Sequence, residues 1–444
     1  MKKFIFLATT VLLSVLGHAQ QTSFKFDFGS GKAAKGYTKI TPESIYNTQA
    51  GYGFDAGSKV KSVTNGGTAV TNDYITALNP FSFSVKLPEG NYDVKVVLGD
   101  TKGTSATTVR AESRRLMLEN VKTKKGETTE RIFTVHIRDS LIRDSKGNVV
   151  NKMRLKKREG TNKHWDNVLT IEFNDSIPKV CALEIIQNKT ATTLFLAGDS
   201  TVTDQGEDPW ASWGQMFPVF LVPSKVAVAN YAESGETLKA FENERRFEKI
   251  FSMAKPGDYL FIEFTHNDQK PGSNHLDAFT TYKETVKKWI AEARNKKMIP
   301  VLVTSTNRRK FDSGGHIENT LLDYPEALRQ TAKEENVALI DLSVMSKTFY
   351  EAMGEKESIK AFVHYPANTY PNQTKALEDN THFNTYGAYE LANCVVSSIR
   401  KQNLPLAKYI RKDVKNYDPA KPNPADKFYW PQSGFASSVK PDGN

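Results

Sequence analysis

Cysteine and long apolar runs are scarce in this sequence. Two cysteines occur among 444 residues, and because neither lies in a metal-binding or redox spacing, we expect Cys181 and Cys394 to be buried free thiols. After the first 16 residues, no apolar run approaches the roughly 20 residues of a membrane-spanning helix. Internal repeats and low-complexity segments are absent as well. The length instead suggests two globular domains, each large enough to fold alone.

The chain begins with the pattern of a secretory signal. Two lysines precede an apolar run from Phe4 to Leu16, and the small residues Gly17 and Ala19 follow it. This pattern predicts a signal peptide over residues 1–19 and cleavage before Gln20. No cysteine follows that could carry a lipid, so we expect an exported protein without an anchor, in the periplasm or outside the cell.

Positive charge exceeds negative charge in the sequence. The formal net charge is +10, from 60 basic and 50 acidic residues, and removal of Lys2 and Lys3 with the signal would leave +8. A surplus of this size fits an anionic partner. Nucleic acid is not the expected partner, since the chain carries no recognised nucleic-acid module. An acidic polysaccharide fits better, although a merely solvated basic surface explains the charge equally well.

Residues 20–190 show short β-rich runs separated by turn residues. Phe24 to Phe28 and Phe81 to Val85 alternate apolar and polar side chains, and turns that contain glycine follow both. Further runs of this kind lie at 92–98, 131–137, 168–173 and 181–186. No long helical pattern interrupts the series, which predicts an all-β sandwich or jelly roll.

Residues 191–410 alternate predicted strands with predicted helices. This alternation predicts βαβ units around a parallel sheet, and therefore an α/β domain of three layers, α/β/α. Residues 411–444 are rich in Pro, Asn, Asp and Lys, so we expect an irregular tail that its aromatic cluster, Phe428 to Trp430, pins to the body. The expected strands after the first are 226–231, 259–264, 299–304 and 338–341, and the expected helices are 238–251, 281–296, 324–335 and one from Thr385.

The apolar run from Leu194 to Ala197 ends in a small polar turn, Gly198-Asp199-Ser200. In open α/β sheets the chemistry collects at the carboxyl ends of the strands, and Ser200 offers a hydroxyl nucleophile there. The turn alone is weak evidence, because it also fits a plain strand-to-helix connection. A base with an orienting carboxylate strengthens the argument. Asp379 and His382 supply both, on what we expect to be the loop that enters the last helix.

Two further strands end in donors for an oxyanion. Gly235 follows the strand at 226–231 and offers a backbone N–H, and Asn267 follows the strand at 259–264 and offers a carboxamide. The carboxyl ends of parallel strands meet at one edge, so these loops should form one cleft. Arg308 and Arg309 leave the sheet at the same edge, where a guanidinium can hold a substrate carboxylate, although a solvated basic loop is as good an explanation.

These four stretches, in this order, resemble the blocks of the SGNH or GDSL hydrolases, and most closely those of bacterial rhamnogalacturonan acetylesterases. The resemblance covers about residues 193–411. It implies that Ser200 is the nucleophile and that Asp379 and His382 form the base pair. Gly235 and Asn267 would then be oxyanion donors beside the Ser200 amide. Related esterases also often carry paired arginines at the position of Arg308 and Arg309.

Two positions depart from the family pattern. The family usually has glycine two residues before the block asparagine, where this chain has Thr265. Glu236 stands where related sequences often have arginine, which reverses a charge near the site. Neither change removes a catalytic group. The two departures therefore bear on which substrate is bound more than on which reaction is catalysed.

The region 20–190 resembles the galactose-binding-like β-sandwich that precedes some bacterial acetylesterases. A carbohydrate-binding module is one interpretation, with aromatic side chains as stacking platforms; packing within the sandwich and against the second domain is the favoured one. Trp210 and Trp213 are likewise expected to pack beneath the first helix of the second domain. The candidate platforms are Tyr37, Tyr46, Tyr52 and Trp165.

We expect neither a catalytic metal nor a cofactor. The histidines and the aspartate near the strand ends match no helical His-x-x-x-His or cysteine spacing. His266 and Asp268 are more plausibly there to shape the loop around Asn267. Whether the sandwich binds a structural Ca²⁺ stays an open question, since the sequence contains no oxygen-ligand motif that would locate the ion. The other histidines considered are His275, His316 and His364.

The sequence therefore predicts an exported carbohydrate esterase that removes acetyl groups from a plant cell-wall pectin, with rhamnogalacturonan as the first hypothesis. Catalysis would use Ser200, His382 and Asp379 and pass through an acetyl-enzyme. Two alternatives stay open: an esterase of another polysaccharide ester, such as a xylan acetyl or pectin methyl ester, and a carbohydrate-binding protein with an inactive hydrolase-like domain. The sequence indicates neither the sugar hydroxyl that is deacetylated nor the oligomeric state.

Overall fold

The computed structural model describes residues 21–442, and the predicted signal peptide over 1–19 lies outside the described residues. The first part of the described chain is all-β, as predicted. Its strands are β1 (Ser23–Phe28), β2 (Thr38–Ile40), β3 (Tyr52–Phe54), β4 (Lys61–Thr64), β5 (Asp73–Thr76), β6 (Phe81–Lys86), β7 (Gly90–Asp100), β8 (Ser105–Ala111), β9 (Arg115–Thr123), β10 (Glu127–Ile137), β11 (Leu141–Arg143), β12 (Val149–Lys152), β13 (Val168–Ile177) and β14 (Lys179–Gln187).

Twelve of these strands build two facing sheets, and β11 pairs with β12 in a separate hairpin. One sheet has the order β10-β7-β14-β1-β2, with β5 beside β14 and β4 beside β5, and the other has the order β3-β6-β13-β8-β9. Their inner faces share one core, in which Phe26 and Leu183 from one sheet pack with Phe83 and Ile171 from the other. Alternation of apolar and polar residues along the strands produces these apolar inner faces. The predicted β-sandwich is confirmed.

The second part of the chain alternates strands and helices. Its elements are β15 (Thr192–Gly198), α1 (Trp213–Met216), β16 (Val226–Asn230), α2 (Leu238–Asn243), α3 (Arg246–Met253), β17 (Tyr259–Glu263), α4 (Lys283–Asn295), β18 (Ile299–Val303), α5 (Tyr324–Glu334), β19 (Ala338–Ile340), α6 (Leu342–Ser358), β20 (Phe362–Tyr365), β21 (Leu377–Phe383) and α7 (Thr385–Lys401).

A parallel sheet of five strands lies at the centre of this second part. Its order is β16-β15-β17-β18-β19, and all neighbouring pairs are parallel. Along β15, Leu194 and Leu196 join an apolar cluster with α1, α6 and α7, while Phe195 and Ala197 join a second cluster with α2 to α5. The strand is therefore buried on both faces, which explains its continuous apolar run. The predicted three-layer α/β architecture is confirmed.

The strand order reverses at β15. The chain passes from β15 to β16 on one side and then to β17 on the other side. In an open α/β sheet, such a reversal leaves a crevice at the carboxyl ends of the strands, and ligands bind there. Ser200 follows β15 directly at this edge.

Two helices differ from the prediction. The expected helix over 238–251 is divided into α2 and α3, because Arg245 has a left-handed backbone with φ of 64° between them. The turn brings the next residue, Arg246, inward to a buried carboxylate of the β-sandwich. The sequence analysis also missed α6, because its apolar residues show no clear helical periodicity.

Asp379 and His382 lie on a strand, which corrects the expected loop. Both belong to β21, which pairs antiparallel with β20. Leu377 to Asp379 lie opposite Val363 to Tyr365 in this pairing. The strand is short and mostly polar, so contacts with other segments stabilise it: its pairing with β20 and main-chain hydrogen bonds from Ala211 and Arg309. Local sequence pattern does not show such a contact.

The segment after α7 is largely irregular, as predicted, and its aromatic residues hold it against the body. Phe428 packs on Tyr386 and Tyr389 at ring distances of 5.7 and 5.3 Å. Trp430 lies over the Arg110 guanidinium of the β-sandwich at 3.9 Å. The segment therefore contacts both parts of the molecule.

Two expectations from composition can be compared with the described residues. Cys181 and Cys394 are buried free thiols, as expected, and burial raises the pKa of Cys181 to about 12. Across residues 21–442, none of the helices combines the length and the apolar character needed to cross a bilayer.

Buried ion pairs join the β-sandwich to the α/β part. Arg115 donates to Asp204 at 2.6 Å, and Arg114 pairs with Asp208 on the same loop after β15. Glu159 receives two hydrogen bonds from Arg246, at 3.0 and 2.6 Å, and both side chains are fully buried. Charges removed from water in this way are stable only when they are paired.

We predict that Glu159→Gln lowers the free energy of unfolding by about 2–3 kcal/mol, because it removes the fully buried carboxylate that binds two nitrogens of the Arg246 guanidinium and leaves Glu244 as its other ion-pair partner. Urea unfolding of the full chain measures this change. Glu248→Gln is the matched control, since Glu248 forms an exposed pair with Arg245 and should cost less than about 1 kcal/mol. Equal losses in the two variants would contradict the prediction.

Candidate active site

The turn after β15 is fixed by close packing and by the Asp199 carboxylate. A Cβ atom on Gly198 would lie 2.6 Å from Val202 Cγ2 and 3.0 Å from the Glu263 carbonyl oxygen, so the position has no room for a side chain. Asp199 Oδ1 accepts hydrogen bonds from the Thr201 amide and hydroxyl, both at 2.9 Å. Ser200 sits between these anchored residues with 2% of its surface exposed. The nucleophile candidate therefore has a defined position at the sheet edge.

Asp199 is buried and keeps its negative charge. Burial opposes ionisation, but the His266 ring and the Thr201 hydrogen bonds hold the pKa of Asp199 below its usual range. His266 Nδ1 lies 3.3 Å from Asp199 Oδ2, and its Nε2 donates to the Thr306 carbonyl at 2.9 Å. Beneath them, burial and the Asp199 charge raise the pKa of Glu263 well above its usual range. As expected, His266 shapes the loop that carries Asn267.

Ser200, His382 and Asp379 form one hydrogen-bonded chain. His382 Nε2 lies 3.0 Å from Ser200 Oγ, and His382 Nδ1 lies 2.9 Å from Asp379 Oδ2. Asp379 Oδ1 also accepts the backbone N–H groups of Thr381 and His382, at 2.7 and 2.9 Å. Burial opposes the charge on Asp379, yet the His382 ring and these amides hold its pKa far below the usual range. The carboxylate therefore stays ionised and fixes the orientation of the imidazole.

Gly235 and Asn267 come to the same edge as Ser200. Gly235 has a φ of +76°, a left-handed conformation that favours glycine and turns the backbone after β16. Gln205 Nε2 donates to the Ser200 carbonyl at 3.0 Å and to Ser234 Oγ at 3.3 Å, which ties the two loops together. Asn267 Nδ2 donates to the Glu236 carbonyl at 3.0 Å, and the same nitrogen carries a second N–H.

Both departures from the family pattern have a structural explanation. Thr265 has no left-handed backbone, so its position does not require glycine. Glu236 is fully buried and forms an ion pair with Lys156 of the β-sandwich. Burial raises the pKa of Glu236 to about 7 despite the nearby cations Arg246 and Lys156. The Glu236 carboxyl pairs with Lys156 between the two parts of the molecule and has no exposed surface from which it could contact a substrate.

The two arginines after β18 differ in what they contact. Arg309 donates to Ser358 Oγ and Asn380 Oδ1, both at 3.1 Å, and to the Glu355 carbonyl, so its guanidinium is occupied within the protein. Among the described residues, the hydrogen bonds of Arg308 go to backbone carbonyls, those of Thr320 at 3.1 Å and His266 at 3.3 Å. Arg308 is therefore the stronger substrate-binding candidate of the pair, while Arg309 supports the segment that carries Asp379.

A cleft of about 500 Å³ lies beside this centre, within the roughly 300–1,000 Å³ of ligand pockets. Gln205, Trp210 and Ser234 line it from the α/β part, and Arg158 lines it from the β-sandwich. The C-terminal segment forms another wall, and Lys440 from this segment lies 3.2 Å from Asp379 Oδ2. Sequence reasoning missed Lys440, since nothing in the local pattern relates residue 440 to residue 379.

The tryptophans named from the sequence are packing residues. Trp213 is fully buried and donates to Glu263 Oε2 at 2.9 Å. Trp210 presents an edge to the His382 ring at 5.7 Å and donates to the Ser437 carbonyl at 3.0 Å. Trp165 is buried at the junction of the two parts, where it packs on Tyr231 at 5.5 Å and under Arg138 at 4.4 Å. These contacts agree with the favoured structural role.

The remaining histidines are dispersed. His275 contacts the Asp268 carbonyl, His316 faces Glu351, and His364 faces Asn380. Within residues 21–442, no set of three or more His, Cys, Asp or Glu side chains is arranged to hold a metal ion.

Comparison with known proteins gives matches to both parts of the chain. Residues 24–142 match a family described as beta-agarase/YXIM esterase-like, galactose-binding domain-like, and residues 196–388 match the GDSL-like lipase/acylhydrolase family. The chain is 42% identical over 224 residues to the rhamnogalacturonan acetylesterase RhgT of Bacillus subtilis, which covers 50% of this chain and 95% of that protein.

A second relative extends across both parts. The chain is 27% identical over 395 residues to the uncharacterized esterase YxiM of Bacillus subtilis, which covers 87% of this chain and 93% of that protein. The crystal structure of YxiM aligns with 86% of this chain and 99% of its own length, at 26% identity and a TM-score of 0.46.

We predict that Ser200→Ala and His382→Ala each lower ester hydrolysis by at least about 10³-fold, because the members of such a hydrogen-bonded chain act as a unit. Turnover of p-nitrophenyl acetate by the purified full chain measures the effect. Ser176→Ala, at an exposed position of the β-sandwich, is the control and should retain full turnover. Wild-type turnover in either site variant would show that its residue has another role.

We predict that Asn267→Ala lowers kcat by about 10² to 10³-fold with little change in KM, the usual effect of losing one oxyanion donor. The second N–H of its side-chain amide is the group removed. Steady-state kinetics on the same aryl acetate separate kcat from KM. A raised KM with unchanged kcat would instead make Asn267 a contact to the bound substrate.

Proposed function

The chain belongs to the GDSL-like lipase/acylhydrolase family, and on this premise we propose that it is a carbohydrate acetylesterase acting on rhamnogalacturonan. The chain is a serine esterase of the SGNH type. The observation that carries the more specific proposal is the match of RhgT, named a rhamnogalacturonan acetylesterase, along 95% of its length. The hydrogen-bonded chain from Asp379 to Ser200 supplies the chemistry that this activity needs.

We propose that His382 acts as the general base. Its Nε2 would take the Ser200 proton as the hydroxyl attacks the acetyl carbonyl, and the ionised Asp379 would stabilise the imidazolium that results. The 3.0 Å distance between Nε2 and Oγ is within the range for direct proton transfer. Because Asp379 is buried and receives two backbone N–H groups, its orientation changes little during the reaction.

The negative charge on the carbonyl oxygen needs donors that are in place before the reaction. The amides of Ser200 and Gly235 and the side chain of Asn267 are the proposed donors. The link from Gln205 to the Ser200 and Ser234 loops supports this assignment, since it keeps two of these donors near each other. Collapse of the intermediate would break the bond to the sugar oxygen, which would take its proton from the His382 imidazolium and leave as a hydroxyl. The neutral His382 would then take a proton from a water that attacks the acetyl-enzyme, and would return this proton to Ser200 as acetate leaves.

We propose that residues 20–190 and 191–410 are the two domains and that 411–444 is a tail that helps to line the cleft. The β-sandwich belongs to the galactose-binding-like fold. Its proposed contribution is support of the esterase part through the buried ion pairs, with glycan binding as an added role that the packed Trp165 does not favour. The apolar run at 4–16 supports export, which would bring the enzyme to a polymeric substrate.

We predict that acetate release is fastest on acetylated rhamnogalacturonan in a panel that also contains acetylated xylan, acetylated mannan and methyl-esterified pectin. The expected preference in kcat/KM is at least tenfold, because the proposed substrate alone combines acetyl esters with the backbone that RhgT is named for. Ser200→Ala supplies the blank for each polymer. If acetylated xylan were preferred, the proposed substrate would be xylan and not rhamnogalacturonan. If methanol were released from pectin, the proposed substrate would be methyl-esterified pectin.

A further inference from the structure

The His266 ring lies between two hydrogen-bond acceptors. Its Nε2 is 2.9 Å from the Thr306 carbonyl oxygen, and its Nδ1 is 3.3 Å from Asp199 Oδ2. A carbonyl oxygen only accepts hydrogen bonds, so Nε2 must carry a proton. An ionised carboxylate also only accepts, so Nδ1 must carry a proton as well when Asp199 is charged. The ring is then an imidazolium, the form in which both nitrogens donate.

The surroundings of Asp199 favour His266 as the holder of the proton between the two side chains. An ordinary aspartate has a pKa about 2.6 below that of an ordinary histidine. Asp199 Oδ1 also accepts from the Thr201 amide and hydroxyl, both at 2.9 Å, and such bonds stabilise the charged form of a carboxyl group. Burial opposes ionisation, yet the His266 charge and these bonds lower the pKa of Asp199. An ion pair therefore fits the contact better than a neutral acid beside a neutral ring.

The hydrogen bonds behind Asp199 are ordered in the same sense. Burial and then the Asp199 charge raise the pKa of Glu263 well above its usual range, so this carboxyl group keeps its proton. Glu263 Oε2 accepts from Trp213 Nε1 at 2.9 Å, and its Oε1 lies 3.1 Å from Thr201 Oγ1. Glu263 can therefore donate to the Thr201 hydroxyl, which in turn donates to Asp199. This order places the negative charge on Asp199 and not on Glu263.

Asp199 and His266 each adjoin a residue of the proposed reaction. Asp199 precedes Ser200, His266 precedes Asn267, and both charged side chains are buried. Attack on the ester creates negative charge on the carbonyl oxygen. A carboxylate without a counter-charge, on the residue before the nucleophile, would repel this oxyanion, and a buried site screens the repulsion poorly.

We infer that His266 is a buried imidazolium that balances the charge of Asp199 and so keeps this carboxylate from opposing the oxyanion. His266 is a positioning residue in this role, because it acts through Asp199 and through the loop that carries Asn267. The inference rests on the serine-esterase chemistry of the proposed function and is independent of the sugar polymer.

Other titratable groups lie around this pair. Arg308, on the loop after β18, donates to the His266 carbonyl at 3.3 Å, and Lys270 and Asp268 belong to the same loop as His266. Burial raises the pKa of Asp268 to about 8, so this carboxyl group is largely neutral near pH 7. Burial lowers the pKa of Arg308 and Lys270, and the Asp199 charge opposes this decrease in both. The two cations thus add to the compensation, while His266 contacts the Asp199 carboxylate itself.

The first experiment measures the protonation of His266 directly. The full chain is labelled with ¹⁵N-histidine, and long-range proton–nitrogen correlation spectra show which ring nitrogens carry protons. At about pH 7.5 an ordinary imidazole, whose pKa is about 6.5, is mostly neutral. His266 should instead carry a proton on both nitrogens. A ring with one bare nitrogen would overturn the inference, because the shared proton would then lie on Asp199.

Loss of one signal in His266→Gln identifies the ring. If that variant does not fold, single variants of the other histidines identify it by elimination. The spectrum of the wild-type chain therefore tests the inference whether or not His266→Gln folds.

The second experiment measures p-nitrophenyl acetate hydrolysis at about pH 8, far above the ordinary pKa of a carboxyl group. His266→Gln should lower kcat about 10- to 10²-fold with little change in KM, because the uncompensated carboxylate acts on the transition state. His316→Gln is the control, since the His316 side chain is 69% exposed, and it should keep full turnover. Wild-type kcat in His266→Gln, or a raised KM alone, would contradict the role.

The third experiment restores the charge balance without the imidazolium. In Asp199→Asn/His266→Gln both side chains are neutral, and the two amides can repeat the contacts of the pair, with the glutamine donating to the Thr306 carbonyl. The asparagine oxygen can keep the two bonds from Thr201. The double variant should have a kcat at least about threefold above that of His266→Gln. A double variant no more active than His266→Gln would show that His266 acts through its shape alone.

The inference and the proposed function can fail separately. If the chain hydrolyses the aryl acetate but not acetylated rhamnogalacturonan, and His266 carries both protons, the proposed substrate is wrong and the inference is supported. If acetylated rhamnogalacturonan is deacetylated and His266 has a bare nitrogen, the inference is wrong and the proposed function is supported.

Discussion

The buried carboxylate of Asp199 is the constraint on which the site depends. It lies directly after β15 with no exposed surface, and it retains its charge because the His266 ring and the hydrogen bonds from Thr201 stabilise it. His266, which contacts Asp199, lies on the loop after β17. It also contacts the loop after β18, since its ring donates to the Thr306 carbonyl and its own carbonyl accepts from Arg308. One ionised group therefore connects the loops after β15, β17 and β18. Ser200 has its position because its neighbour is anchored in this way.

The β-sandwich takes part in the same construction from the other side. Arg115 and Arg114 pair with Asp204 and Asp208, which belong to the loop that follows Ser200. All four side chains are buried, so each charge depends on its partner from the other part of the chain. The sandwich thus supports the loop beside the nucleophile and is more than an attached module.

Much of the fold and of the site could be predicted from the sequence because the signals are local. The apolar run of β15, the alternation in β1 and β6, and polar residues at strand ends follow directly from burial on two faces or one. The parallel-sheet rule then brings Ser200, Gly235 and Asn267 to one edge without further information. A search for a histidine with an orienting carboxylate found Asp379 and His382, and the resemblance to a known family implied the same roles for them.

The features that escaped prediction depend on contacts between distant segments. Asp379 lies on a strand because β21 pairs with β20. Glu236 does not bring a free charge to the site, because Lys156 of the sandwich forms an ion pair with it. Lys440 reaches Asp379 after the chain has crossed the surface of both parts. Arg308 and Arg309 are adjacent in sequence, yet their roles diverge because Ser358, Asn380 and Glu355 occupy one of them. No local pattern contains these partners.

Burial of Glu236 also links folding to the uptake of a proton. Its pKa is about 7 in the folded chain and 4.5 when the side chain is in water. Between these two values, the folded state binds a proton that the unfolded state has released, so stability falls as pH rises through this window. Above the folded pKa the loss is complete, and below pH 4.5 it vanishes. For this group alone, the folded state is therefore favoured at a pH below about 7, where the buried carboxyl can hold its proton.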